Sequence, residues 1–188
     1  MDLTAADKAI LLTIARSAVE SAVTDTTLQD LDTRFDYSPS LKMRAGAFVT
    51  LEKHHRLRGC VGLIEGEREL YWTVNEAAIS AALYDSRFNP VERDEIKDLF
   101  IEISVLSPLE TIKNPDEVVV GKHGLLIISG RHHGLLLPQV AVEHRWDRKT
   151  FLEQTCVKAY LPKEAWQWKE TAIQVFTANV FDESILKN

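Results

Sequence analysis

The chain has 188 residues, and 28 acidic against 22 basic side chains leave a formal net charge of −6. With 45% hydrophobic residues and only 8 Gly and 6 Pro, it is neither disordered nor low-complexity. A chain this long buries roughly 70% of its unfolded surface and needs no disulfide framework, its two cysteines do not make one, and its acidic balance disfavours nucleic acid as a partner.

The start, Met1-Asp2-Leu3-Thr4, lacks the basic region of a signal peptide, and no run reaches the roughly 18 apolar residues of a membrane span. Cys60 and Cys156 lie far apart without a CxxC, so a cytoplasmic protein with no membrane partner is expected. Residues 4–23 read as a helix, with Thr4 and Asp7 at capping-box spacing and Ile10, Ile14, Ala18 and Ala22 four apart, widened by Leu11. Residues 24–40 are polar and turn-rich, anchored by Leu28, Leu31 and Phe35. Residues 45–51 and 57–64 read as a hairpin turning at residues 53–56. A turn centred between His54 and His55 sets Cys60 opposite Val49.

Residues 70–85 read as a helix rich in small residues, stopped by Pro90. A strand follows at 100–106. Residues 118–120, 125–129 and 133–137 read as strands, with Gly130-Arg131 as a tight turn. Residues 140–144 and 149–160 read as helices, 162–168 as a short helix or turn, and 173–181 as the last strand. Each half thus runs hairpin, helix, strand, which fits duplicated β-β-α-β units. Neighbouring strands imply antiparallel sheet with helices on its faces, an α+β fold.

The most unusual string is Leu57-Arg58-Gly59-Cys60-Val61-Gly62. Alternation puts Arg58, Cys60 and Gly62 on one face, about 7 Å apart along the strand. In a functional reading, Arg58 lowers the Cys60 pKa, the thiolate is a nucleophile or ligand, and Gly59 and Gly62 make room for substrate. In a packing reading, Cys60 is a small core hydrophobe, the commoner state of a free cysteine. No base is identifiable from spacing alone.

The same string resembles the signature hexapeptide of the AMMECR-one family, whose prokaryotic members are called AmmeMemoRadiSam system protein A. Gly46-Ala47-Phe48-Val49-Thr50-Leu51 before it fits. So does Asp85-Ser86-Arg87-Phe88-Asn89-Pro90, with Ser86 for the usual Pro. Ile103-Ser104-Val105-Leu106-Ser107-Pro108, Gly121-Lys122-His123-Gly124-Leu125 and Leu135-Leu136-Leu137-Pro138-Gln139-Val140-Ala141 extend the match over nearly the whole chain. The resemblance implies one domain over 1–188, a larger lobe built from both termini and a smaller central one. It brings no established reaction. It implies a Memo-family protein and a radical S-adenosylmethionine protein as partners.

Other residues offer chemistry. His123, between Gly121 and Gly124, is a candidate base for Cys60, or a loop histidine in a turn. Arg87 is a candidate anion or partner contact, or a cation on helix carbonyls. Gln139 is placed to bond a ligand, or to hold a strand-to-helix junction. Lys53-His54-His55-Arg56 is a basic turn in an acidic chain. Six histidines show no ligand spacing, and no nucleotide-binding or serine-hydrolase string occurs, so neither metal nor cofactor is expected. Two functions follow: a partner-binding accessory protein, or a small enzyme using Cys60 with Arg58 activation.

Overall fold

The computed structural model describes residues 2–27 and 30–187, so Leu28, expected as an anchor, lies outside the described residues. Two compact units divide the chain: Met1–Leu106 with Asn179–Asn188, and Ser107–Ala178.

The first unit opens with α1 (Ala5–Thr24). Thr4 Oγ1 accepts the Asp7 N–H at 3.1 Å, and Asp7 accepts the Thr4 N–H at 2.9 Å. This capping box satisfies two donors that a helix start otherwise leaves unpaired. The buried stripe is Leu11, Leu12, Ile14, Ala15, Ala18 and Val19, so Leu11, Ile14 and Ala18 are buried as expected while Ile10 and Ala22 are only half-buried. Strands β1 (Ala47–Lys53) and β2 (Arg56–Leu63) form the hairpin, followed by helix α2 (Leu70–Leu83) and strand β3 (Leu99–Leu106). Ala47, Val49 and Leu51 of β1 and Ile101, Ile103 and Val105 of β3 are buried on one face of the sheet. Ala77, Ala78, Ala81 and Ala82 bring α2 close to β1 and β2. The segment after α1 is pinned by Asp32, which accepts from Tyr71 Oη at 2.9 Å and Trp72 Nε1 at 2.7 Å. Leu31 is buried there, and Phe35 packs against the core.

In the second unit, β4 (Glu110–Ile112) precedes the hairpin β5 (Gly124–Ser129) and β6 (His132–Leu136). Helices α3 (Pro138–Glu143) and α4 (Arg148–Lys158) lead to β7 (Ala172–Phe176), and the chain re-enters the first unit as β8 (Ala178–Asp182). Phe151, Leu152 and Cys156 of α4 are buried with Leu125, Ile127, Ile173 and Val175.

The sheet orders are β2-β1-β3-β8 and β4-β7-β5-β6, so the α+β fold has two antiparallel sheets. The order β2-β1-β3 recurs as β6-β5-β7, the hairpin-helix-strand repeat expected from sequence. One detail repeats with it. Gly59 faces Leu51 and Gly134 faces Ile127, each at the third strand pair from its turn. A Cβ on Gly59 would lie 2.2 Å from the Ala81 carbonyl oxygen, and one on Gly134 2.4 Å from the Ala159 nitrogen. In both units a glycine lets helix backbone rest on the second hairpin strand.

Two expectations are corrected. Residues 118–120 form no strand; they follow the short 3-10 helix Pro115–Glu117 and run into a turn at residues 120–122, where Gly121 has a φ of 83°. The last strand is two, broken at Thr177. There the Thr177 N–H donates to Ser107 Oγ at 2.9 Å and its carbonyl accepts the Ser107 N–H at 2.8 Å, so local bonds replace the ladder.

Candidate functional site

The hairpin turns at His54 and His55, with φ of 52° and 59°. Two left-handed residues in succession are what a type I′ turn requires, a place usually filled by Asn-Gly. Lys53 pairs with Arg56 and Glu52 with Leu57, as a turn centred there dictates. The register then slips, because Leu51 pairs with Gly59 and Arg58 has no partner. This β-bulge moves Cys60 opposite Thr50 rather than the expected Val49.

Arg58, at the bulge, donates through Nε to Glu95 Oε1 at 3.1 Å and through Nη2 to Oε2 at 2.7 Å. It also donates to the carbonyls of Asn89 at 2.9 Å and Pro90 at 3.1 Å. Lys53 Nζ meets the same carboxylate at 2.9 Å. The Arg58 bonds dominate in holding the Glu95 carboxyl down at about 2. Such two-pronged charge-assisted bonds fix a guanidinium in place.

Cys60 lies in β2, the edge strand, and its main chain is bonded by the loop after α2. Its N–H donates to Asp85 Oδ2 at 2.8 Å, and its carbonyl accepts from Arg87 Nη2 at 3.2 Å. Asp85 and Arg87 are bidentate partners at 2.6 and 2.9 Å. Arg87 leads the effects that hold the Asp85 carboxyl at about 2. Arg87 therefore meets a carboxylate of its own chain.

The thiol is half-buried and accepts from Thr50 Oγ1 at 3.4 Å. Burial pushes its pKa up; Thr50 and Arg87 pull it down, and Asp85 and Glu102 add to the rise. The expectation of a thiol lowered by Arg58 is thus corrected: the arginine that acts on it is Arg87, and the net shift is upward. Nor do the glycines open space. A Cβ on Gly59 meets α2 backbone, and one on Gly62 would lie 2.3 Å from the Ala47 carbonyl oxygen.

His123 belongs to the second unit, where its Nδ1 accepts the Val119 N–H at 3.3 Å. Burial lowers its pKa, and Lys122 adds to the effect. Gln139 is half-buried in the first turn of α3. The structure brings together Arg58, Cys60 and Arg87 from the expected residues. It adds Asp85 and Glu95, which sequence reasoning did not single out. Asp85 heads the Asp-Ser-Arg-Phe string, and Glu95 sits three residues after Glu92 in a capping box, so both carried a local signal. Among the described residues no group of three or more His, Cys, Asp or Glu is placed to hold a metal. None of the described helices is long and apolar enough to cross a membrane.

These features define an α+β protein whose two signature strings are bonded to each other at a sheet edge. A profile of the AMMECR1 family matches residues 12–181, and the chain belongs to that family. A protein of Thermococcus onnurineus is 41% identical over 187 residues, covering 94% of this chain and 90% of its own. One from Aquifex aeolicus is 42% identical over 145 residues, 73% of this chain and 74% of its own. The crystal structure of an uncharacterized protein from Pyrococcus horikoshii matches with a TM-score of 0.86 at 37% identity, over 92% of this chain and 89% of that one. The homologues are uncharacterised proteins of the same family.

Proposed function

We propose that this chain is a cytoplasmic accessory protein that works by binding partner proteins. One observation carries the reading. The arginines of the two signature strings are committed to internal carboxylates: Arg87 to Asp85, a pair bonded to the Cys60 main chain, and Arg58 to Glu95. The Cys60 thiol is shifted toward the neutral form. An activated cysteine needs the opposite, an electropositive and accessible setting. A closed set of internal pairs instead makes a stiff frame that presents a surface. Two free cysteines fit a reducing compartment.

The family resemblance supports a Memo-family protein and a radical S-adenosylmethionine protein as the partners. The test is reciprocal co-purification of the tagged full chain with each of these two proteins from the same organism. A stoichiometric complex with either is the expected result. Failure to bind both, at tens of micromolar, would overturn the reading. The alternative, an enzyme with Cys60 as nucleophile, requires alkylation of Cys60 to accelerate below pH 8 in the folded chain.

A further inference from the structure

We propose that the groove at the β1–β2 hairpin tip docks a short acidic segment of a partner protein, an inference that rests on the accessory reading above. The groove encloses about 440 Å³ and is lined by Lys53, His54, Arg56, Leu57 and Arg58. Its lining holds three cations and no acid, in a chain of net charge −6. Complementary charge is what selects and orients such a partner.

The cations are unequal. Lys53 and Arg58 are anchored on Glu95, and Arg58 is also tied to two carbonyls. Asp94 and Asp98 also act on Lys53, and Glu92 on Arg58, so both of these cations already face acids of their own chain. Arg56 is exposed and makes no ion pair among the described residues. It is the cation an incoming carboxylate reaches. Leu57 beside it is 44% exposed, a seat for one apolar side chain. His54 and His55 hold exposed rings on left-handed backbone, where Gly or Asn is the relaxed choice. That backbone is the type I′ turn itself, and of the two rings it is His54 that lines the groove. A nucleic acid fits less well. The overall acidity repels a long polyanion, and the patch spans only one hairpin tip.

The experiment uses the full chain and a fluorescein-labelled peptide, Glu-Glu-Leu-Glu-Glu, read by anisotropy. Arg56→Glu is expected to weaken binding about tenfold or more, and Leu57→Ser about threefold. Raising NaCl from 50 to 300 mM weakens it about tenfold, as screening requires. Arg131→Glu, at the other hairpin turn, leaves it unchanged. Unchanged peptide binding by a folded Arg56→Glu variant, its fold checked by circular dichroism, overturns the proposal. So does a thymidine pentanucleotide that binds as tightly as the peptide. The two readings fail separately. If the Memo-family or radical S-adenosylmethionine protein binds Arg56→Glu as well as it binds the wild type, the groove is wrong and the accessory reading stands. If neither protein binds while the peptide does, only the accessory reading falls.

Discussion

The Asp85 carboxylate accepts the Cys60 backbone N–H at 2.8 Å, across 25 residues of sequence. Arg87 clamps that carboxylate and donates to the Cys60 carbonyl. One carboxylate–guanidinium pair thereby covers both main-chain groups of Cys60 on an edge strand. Uncovered edges invite pairing with other chains, and charged side chains are a common means of blocking them. The two strings that identify the family are therefore parts of one structural joint, and the cysteine marks where it closes.

Asp85→Asn tests the joint. An amide still offers an oxygen to the Cys60 N–H, but it loses the charge that holds Arg87. The cost expected is about 1–3 kcal/mol in unfolding free energy, the range for a bond to a charged group at a buried site. Urea titration at pH 7 measures it. A loss below about 0.5 kcal/mol, the level of an ordinary surface change, would mean that the pair contributes little.

Acid should act on the same carboxylates. Asp85 and Glu95 both sit at about 2 in the folded chain, below their ordinary 3.8 and 4.5. A depressed carboxyl contributes stability that is complete above its ordinary value and is lost as pH falls through the folded one. The urea midpoint should therefore drop between about pH 4.5 and 2. An Asp85→Asn, Glu95→Gln double variant should show a shallower drop over that window. An equally steep drop in the double variant would assign acid sensitivity to other groups.

Gly59 and Gly134 make a paired prediction. Adding a methyl places it 2.2 Å from the Ala81 carbonyl oxygen in one case and 2.4 Å from the Ala159 nitrogen in the other. Helix backbone cannot move aside as a side chain can. Gly59→Ala and Gly134→Ala should each cost about 1–3 kcal/mol or more, as overpacking does. Gly130→Ala meets nothing within 4 Å and strains only its φ of 60°. Its cost should stay near 1 kcal/mol, the penalty of one left-handed residue. Thermal unfolding of the three variants ranks them.

What could be read from the residues divides by range. Thr4 and Asp7 announce α1, and the alanines of α2 announce a helix lying close on a sheet, because capping and periodicity are local. The hairpin turn is equally local. The bulge at Arg58 is not, since the carbonyls and carboxylate that receive its guanidinium belong to Asn89, Pro90 and Glu95. For the same reason hairpin spacing points to Val49 opposite Cys60 and to Arg58 as the arginine acting on its thiol, where the structure has Thr50 and Arg87. The break at Thr177 is hidden because hydrophobic alternation continues across it, and only the pairing with Ser107 interrupts the ladder.

Cys60 reactivity should follow Arg87 and not Arg58. Burial raises the thiol while Arg87 lowers it. In the wild type, alkylation by iodoacetamide should be slow at pH 7 and should accelerate only above the ordinary thiol range. Arg87→Ala, through charge alone, should move the profile further up, although exposure of the loosened edge acts the other way. Thr50→Val removes a hydrogen bond without opening the edge, and it should shift the profile upward cleanly. Arg58→Ala should leave it in place. A profile that moves with Arg58 and ignores Thr50 would restore the activated-cysteine reading.

Tyr160 closes α4 in a conformation that suits glycine. Its φ is 59°, its N–H donates to the Val157 carbonyl at 3.0 Å, and Leu161 N–H donates to the Cys156 carbonyl at 2.9 Å. This is the Schellman pattern, whose left-handed residue is most often Gly. Tyr160 is 89% exposed, so packing does not offset the strain. Tyr160→Gly should stabilise the chain by up to about 1 kcal/mol, since the relief exceeds the added freedom of the unfolded chain. Tyr160→Val, with a branched Cβ on the same backbone, should destabilise by a similar amount. Differential scanning calorimetry of both variants decides the matter: a destabilised Tyr160→Gly would mean that the ring contributes contacts outweighing its backbone strain.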